Sequence, residues 1–120
     1  MKVRIQDKEI TLEYTMRSQI VYENITGESV NFENMASIKQ LTTMLLATII
    51  ASAQKQHIDI NFTYDDYMNW LDDNGGYAVI NDFAIWFSKE LQAKYSLLAE
   101  KIQEENDLPK STKKSKKAKN

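Results

Sequence analysis

The residues of this chain that could do chemistry are a single histidine, four clustered aspartates and a group of lysines near the C-terminal end. Cysteine is absent, so any nucleophile–base pair would depend on His57 alone. His57 follows a polar stretch at the predicted end of a helix, where the helix dipole favours a solvated imidazole. The chain therefore lacks a recognisable catalytic constellation, and we expect it not to be an enzyme.

The aspartates are the only carboxylate cluster in the sequence that could hold a divalent cation or act as an acid–base pair. Asp65 and Asp66 stand at a predicted helix start, where acidic residues are favoured by the helix dipole, and Asp72 and Asp73 stand at its end. The spacing does not match a calcium-binding loop, and no glycine-rich phosphate loop with its lysine is present. The sequence predicts neither a metal site nor a cofactor.

The lysines define a charge asymmetry between the body of the chain and its end. Residues 1–106 carry nine basic and sixteen acidic residues, for a net charge of −7, whereas residues 107–120 carry six lysines and one aspartate, for +5. A lysine-rich segment can neutralise phosphates without reading sequence. One hypothesis is that this segment binds nucleic acid through Lys113, Lys114, Lys116 and Lys117. The other is that the segment keeps the protein soluble, which the acidic body favours because it would repel nucleic acid.

The composition predicts one small globular domain. The chain has 120 residues, 42% of them apolar, but three glycines and one proline are too few for the many turns of a sandwich or barrel. The N-terminus is charged where a signal peptide would be apolar, and the longest apolar run falls short of the ~20 residues that span a bilayer. We expect a cytoplasmic protein with no membrane association.

Periodicity divides the chain into a hairpin and four helices. Apolar residues alternate with polar ones over residues 2–14 on both sides of a short polar break, which predicts a β-hairpin with one buried face. Helical spacing follows in residues 15–26, 34–56, 63–73 and 77–105. The predicted fold is α+β and α-dominated, with the hairpin packed on about four helices in residues 1–106. Residues 107–120 are predicted to be a disordered basic tail.

The order of these elements resembles that of a known family. The hairpin is followed by a helix that ends in Thr26-Gly27, by a long helix that is apolar nearly all round at residues 44–53, and by a threonine-capped acidic helix at residues 62–73. Over about residues 2–100 this arrangement is similar to the tail assembly chaperones of long-tailed bacteriophages and related prophages.

The resemblance implies a role in assembly through protein binding. Such chaperones bind the tape measure protein, a very long and largely helical chain, and keep it soluble while tail-tube subunits assemble around it. A long amphipathic helical partner needs apolar grooves between helices. The predicted contact residues are apolar residues of the second and fourth helices, namely Met44, Leu45, Ile49, Ile50, Phe83, Trp86 and Phe87. The sequence leaves open whether the protein is a monomer or a homo-oligomer.

Overall fold

The computed structural model describes residues 1–32 and 37–106, with side-chain positions through residue 96. Within these residues the predicted α+β, helix-dominated fold is confirmed. Two strands are followed by four helices, namely β1 (Lys2–Ile5), β2 (Lys8–Thr11), α1 (Met16–Thr26), α2 (Ile38–Lys55), α3 (Tyr64–Asp73) and α4 (Tyr77–Asn106). The predicted tail at residues 107–120 lies outside the described residues, as does the predicted helix start at residues 34–36.

The chain divides into two compact units, Met1–Phe87 and Ser88–Asn120. The first unit contains the hairpin, α1, α2, α3 and the first eleven residues of α4. The described part of the second unit is the remainder of α4, in which Leu91 is half-buried and Tyr95 is exposed. The candidate site described below belongs to the first unit.

The hairpin is antiparallel, with Val3 opposite Ile10. Both turn residues have a positive φ, 52° at Gln6 and 63° at Asp7. Two central residues in this region make a type I′ turn, whose twist matches that of the flanking strands. As the alternation predicted, the apolar residues of the hairpin and its extension share one buried face, formed by Val3, Ile5, Ile10, Leu12 and Tyr14.

Side chains from elsewhere in the fold occupy both edges of this hairpin. The Gln56 amide donates to the Thr11 carbonyl at 2.6 Å, and its oxygen accepts from the Thr11 amide at 3.3 Å. On the other edge, the indole nitrogen of Trp70 donates to the Arg4 carbonyl at 2.8 Å. The two-stranded sheet is thereby joined to the end of α2 and to α3.

The helix ends follow from local sequence. Thr15 accepts from the Ser18 amide in a capping box that starts α1, and Gly27, with φ 73°, ends it. The end of α2 is a Schellman motif, since the Ile58 amide donates to the Ala53 carbonyl and the His57 amide to the Gln54 carbonyl. His57 takes the left-handed position of this motif, with φ 57°.

Helix α2 is the central element of the first unit. Every residue from 41 to 49 is buried, which is why the sequence is apolar nearly all round this helix. Helix α1 packs along one side of it and β2 along another. The hydroxyl of Ser52 bonds the backbone of Glu13, accepting from its amide at 3.0 Å and donating to its carbonyl at 3.3 Å, so α2 also fixes the chain between the hairpin and α1.

Helices α3 and α4 complete the core. Thr63 and Asp66 form the predicted capping box of α3, and its buried Tyr67 donates to the Thr42 carbonyl of α2 at 2.7 Å. In α4, Ile80, Phe83 and Phe87 are buried. On α3 the residues Tyr67 and Leu71 are buried, whereas Met68 is half-buried. In the described ranges, no helix combines the length and apolarity needed to cross a membrane.

Candidate binding groove

Two adjoining cavities form a groove along one side of α2. One has a volume of about 530 Å³ and the other about 710 Å³, and both are lined by Ile25 and Tyr64, so these two side chains stand where the cavities meet. Along α2 the lining extends from Lys39 to Gln54. At 1.5 Å per residue this is about 22 Å, the length of four turns of helix.

Four elements line the groove, and one of them, α3, contributes its first residue, Tyr64. The C-terminal end of α1 supplies Ile25. The buried residues of this helix are Ser18 and Tyr22, and 43% of the surface of Ile25 remains exposed. Helix α2 supplies the floor through Leu46 and Ile50. The opposite wall is the connector between α2 and α3, and its apolar lining residues are Ile58, Ile60 and Phe62.

The groove is apolar at the α2–α3 end and more polar at the α1–α2 end. Gln54 and Asp59 flank the apolar part, whereas Glu28 and Lys39 line the polar part with one charge of each sign. Burial raises the pKa of the Tyr22 phenol in this polar part, and the Glu28 carboxylate raises it further. The phenol is protonated at physiological pH and can donate a hydrogen bond.

The residues predicted to contact a partner are mostly in the core. Five of them have 0–2% of their surface exposed, namely Met44, Leu45, Ile49, Phe83 and Phe87. Side chains buried to this extent can contact a partner only if the helices separate. Ile50 and Trp86 are half-buried, and Ile50 lines the groove. The structure thus brings one predicted contact residue to the candidate site.

The groove residues outside α2 were not predicted from the sequence. Ile58, Ile60 and Phe62 alternate with Asp59 and Asn61, a period-2 pattern that signals an extended segment with one apolar face. Treating residues 57–62 only as a break between helices overlooked this signal. Ile25 and Tyr64 carry no such signal, because their exposure depends on how α1 and α3 pack.

The residues considered for catalysis remain apart from this groove. His57 is exposed at the end of α2. Asp65 and Asp66 lie at the start of α3, where Asp66 accepts from the Thr63 amide at 2.9 Å. Among the residues that the structure describes, no three histidine, aspartate or glutamate side chains are grouped to hold a metal ion. The predicted nucleic-acid residues Lys113, Lys114, Lys116 and Lys117 lie outside the described residues.

The shape and lining of the groove are suited to an elongated apolar segment. Aliphatic and aromatic side chains line its α2–α3 end. In general, apolar grooves can receive residues of an amphipathic helix at i, i+3, i+4 and i+7 spacing. Comparisons of the chain with protein-family models, with curated proteins and with solved structures found no match.

Proposed function

We propose that this chain is a non-enzymatic tail assembly chaperone of a long-tailed bacteriophage or prophage, which binds the tape measure protein in the host cytoplasm and keeps it from aggregating. The observation that carries the proposal is the apolar groove beside α2. The order of hairpin, short helix, apolar helix, capped acidic helix and final helix, which resembles that family, supports it further.

The dimensions of the groove suit a helical partner. Its length of about 22 Å along α2 accommodates an amphipathic segment of about 15 residues at 1.5 Å per residue. The apolar lining at the α2–α3 end would cover part of the apolar stripe of such a segment, while the charged residues that line the more polar end would face its polar side. A long partner with many such segments could be bound by many copies of the chain.

The test is affinity capture from cells that produce the gene cluster of this protein, with nuclease treatment and mass spectrometry. Ile25→Glu should reduce recovery of the very long helical protein at least tenfold, because it places a charge in the apolar groove. Ile20→Glu is the matched control: Ile20 is on the same helix, is 49% exposed and is not among the residues that line either cavity. Circular dichroism should show that both variants remain folded.

Two results would count against the proposal. Equal recovery of the partner by the Ile25→Glu and Ile20→Glu variants would show that the groove does not bind the partner. Recovery of nucleic acid in place of a protein, abolished by deletion of residues 107–120, would favour the alternative of a small regulatory or nucleic-acid-associated protein. For the chaperone we expect that deletion to leave partner recovery unchanged.

A further inference from the structure

The connector wall of the groove, residues 58–62, contains no helix or strand. Its backbone groups must therefore find hydrogen-bond partners outside regular secondary structure. Two of these partners are side chains of the hairpin, Gln6 in its turn and Lys8 at the start of β2, and both are more than fifty residues away in the sequence.

Gln6 pairs with both backbone groups of Asn61. Its amide nitrogen donates to the Asn61 carbonyl at 2.8 Å, and its amide oxygen accepts from the Asn61 N–H at 3.1 Å. This is the exchange that two opposite residues make across an antiparallel sheet, with a side-chain amide in place of one backbone. Beyond the turn, the Lys8 ammonium donates to the Asp59 carbonyl.

We propose that the hairpin turn holds the connector wall in the conformation that receives a partner, and that Gln6 is its main positioning residue. This inference rests on the proposed function of the groove. Asn61 lies between Ile60 and Phe62, so the hydrogen bonds of its backbone restrain the segment that carries these two apolar lining residues. A wall that is ordered before binding lowers the entropic cost of association.

The backbone of the turn provides variants that separate positioning from folding. Gln6 and Asp7 both have a positive φ, a conformation that glycine adopts without steric cost. Gln6→Gly therefore removes the side-chain amide and also relieves the steric cost of a positive φ in the turn. Asp7→Gly relieves the same kind of steric cost but leaves the Gln6 amide in place. Neither variant should unfold the hairpin, so a difference between them reports the contact with Asn61.

The first measurement is backbone hydrogen exchange in the free protein. In Gln6→Gly the Asn61 amide should exchange about 2- to 10-fold faster than in the wild type, the ratio that corresponds to the net contribution of one hydrogen bond. Asp7→Gly should leave this rate unchanged. The second measurement is recovery of the long helical protein by the same capture, which should fall in Gln6→Gly and not in Asp7→Gly.

Each outcome decides the inference. Unchanged exchange at Asn61 in Gln6→Gly would overturn it, and so would faster exchange together with full partner recovery. If the wild-type protein itself captures no long helical protein, the proposed function fails. In that case, faster exchange in Gln6→Gly alone still establishes that the turn holds the wall.

Discussion

Replacing Tyr67 by phenylalanine tests how α3 is fastened to the central helix. The Tyr67 ring is fully buried, and its hydroxyl donates to the Thr42 carbonyl at 2.7 Å. Tyr67→Phe keeps the ring and removes only the donor, so the Thr42 carbonyl, which lies within α2, loses this hydrogen bond while apolar packing is preserved. We expect the free energy of unfolding to fall by about 1–1.5 kcal/mol at pH 7.

The same contact predicts a pH dependence. Burial raises the pKa of the Tyr67 phenol far above its ordinary value of 10.0, and the nearby Tyr64 raises it further. Above pH 10 the unfolded chain therefore binds fewer protons at this residue than the folded protein does. Stability that is present below pH 10 is lost as the pH rises, by roughly 1 kcal/mol at pH 11. The phenylalanine variant has no such loss, so the two proteins should become about equally stable near pH 11.

Urea unfolding followed by circular dichroism at pH 7, 9, 10 and 11 measures this convergence. Titration of other residues cancels in the difference between wild type and variant. Tyr77→Phe is the matched control, because Tyr77 is 80% exposed and its replacement should change stability at no pH. A difference between wild type and Tyr67→Phe that stays constant from pH 7 to pH 11 would refute the reasoning, since Tyr67 would then ionise equally in both states.

Four further substitutions test other parts of the first unit by urea unfolding. His57→Gly should raise the free energy of unfolding by about 0.5–1 kcal/mol, because φ is 57° there and glycine adopts this region freely; a decrease would show that the imidazole stabilises the fold. Ser52→Ala should lower it by about 1–3 kcal/mol, because the Glu13 amide loses its acceptor; no change would mean that water replaces the hydroxyl. Phe83→Ala should cost about 3–5 kcal/mol, whereas Ile85→Ala, at a site 52% exposed, should change stability by less than about 0.5 kcal/mol. Equal effects of the last two would contradict the assignment of the core face of α4.

The elements were predictable because their signals are local. Thr63 and Asp66 are three residues apart, as a capping box requires, and Gly27 directly follows the helix that it ends. The alternation of the hairpin likewise needs only neighbouring residues. The type of its turn could not be predicted, since Gln6 and Asp7 adopt a conformation that the sequence usually marks with Asn-Gly.

The candidate site was less predictable because apolarity alone does not separate core from surface. Met44 and Ile49 were chosen for a helix that is apolar nearly all round, and such a helix has no distinct face from which to select contact residues. Which residues of α2 stay accessible depends on where α1 and the connector pack. Ile50 lines the groove and Ile49 is buried, although they are neighbours of the same chemical type.

The side chains at the hairpin edges bear on how the protein behaves at high concentration. Exposed strand edges are templates on which a second copy can add a strand and begin aggregation. At Thr11 both backbone groups are already bonded to Gln56, and at Arg4 the carbonyl is bonded to Trp70. An incoming strand would have to displace these bonds before it could pair at those positions. Gln56 and Trp70 thus hinder the addition of a strand from a second copy, in addition to joining the hairpin to the helices.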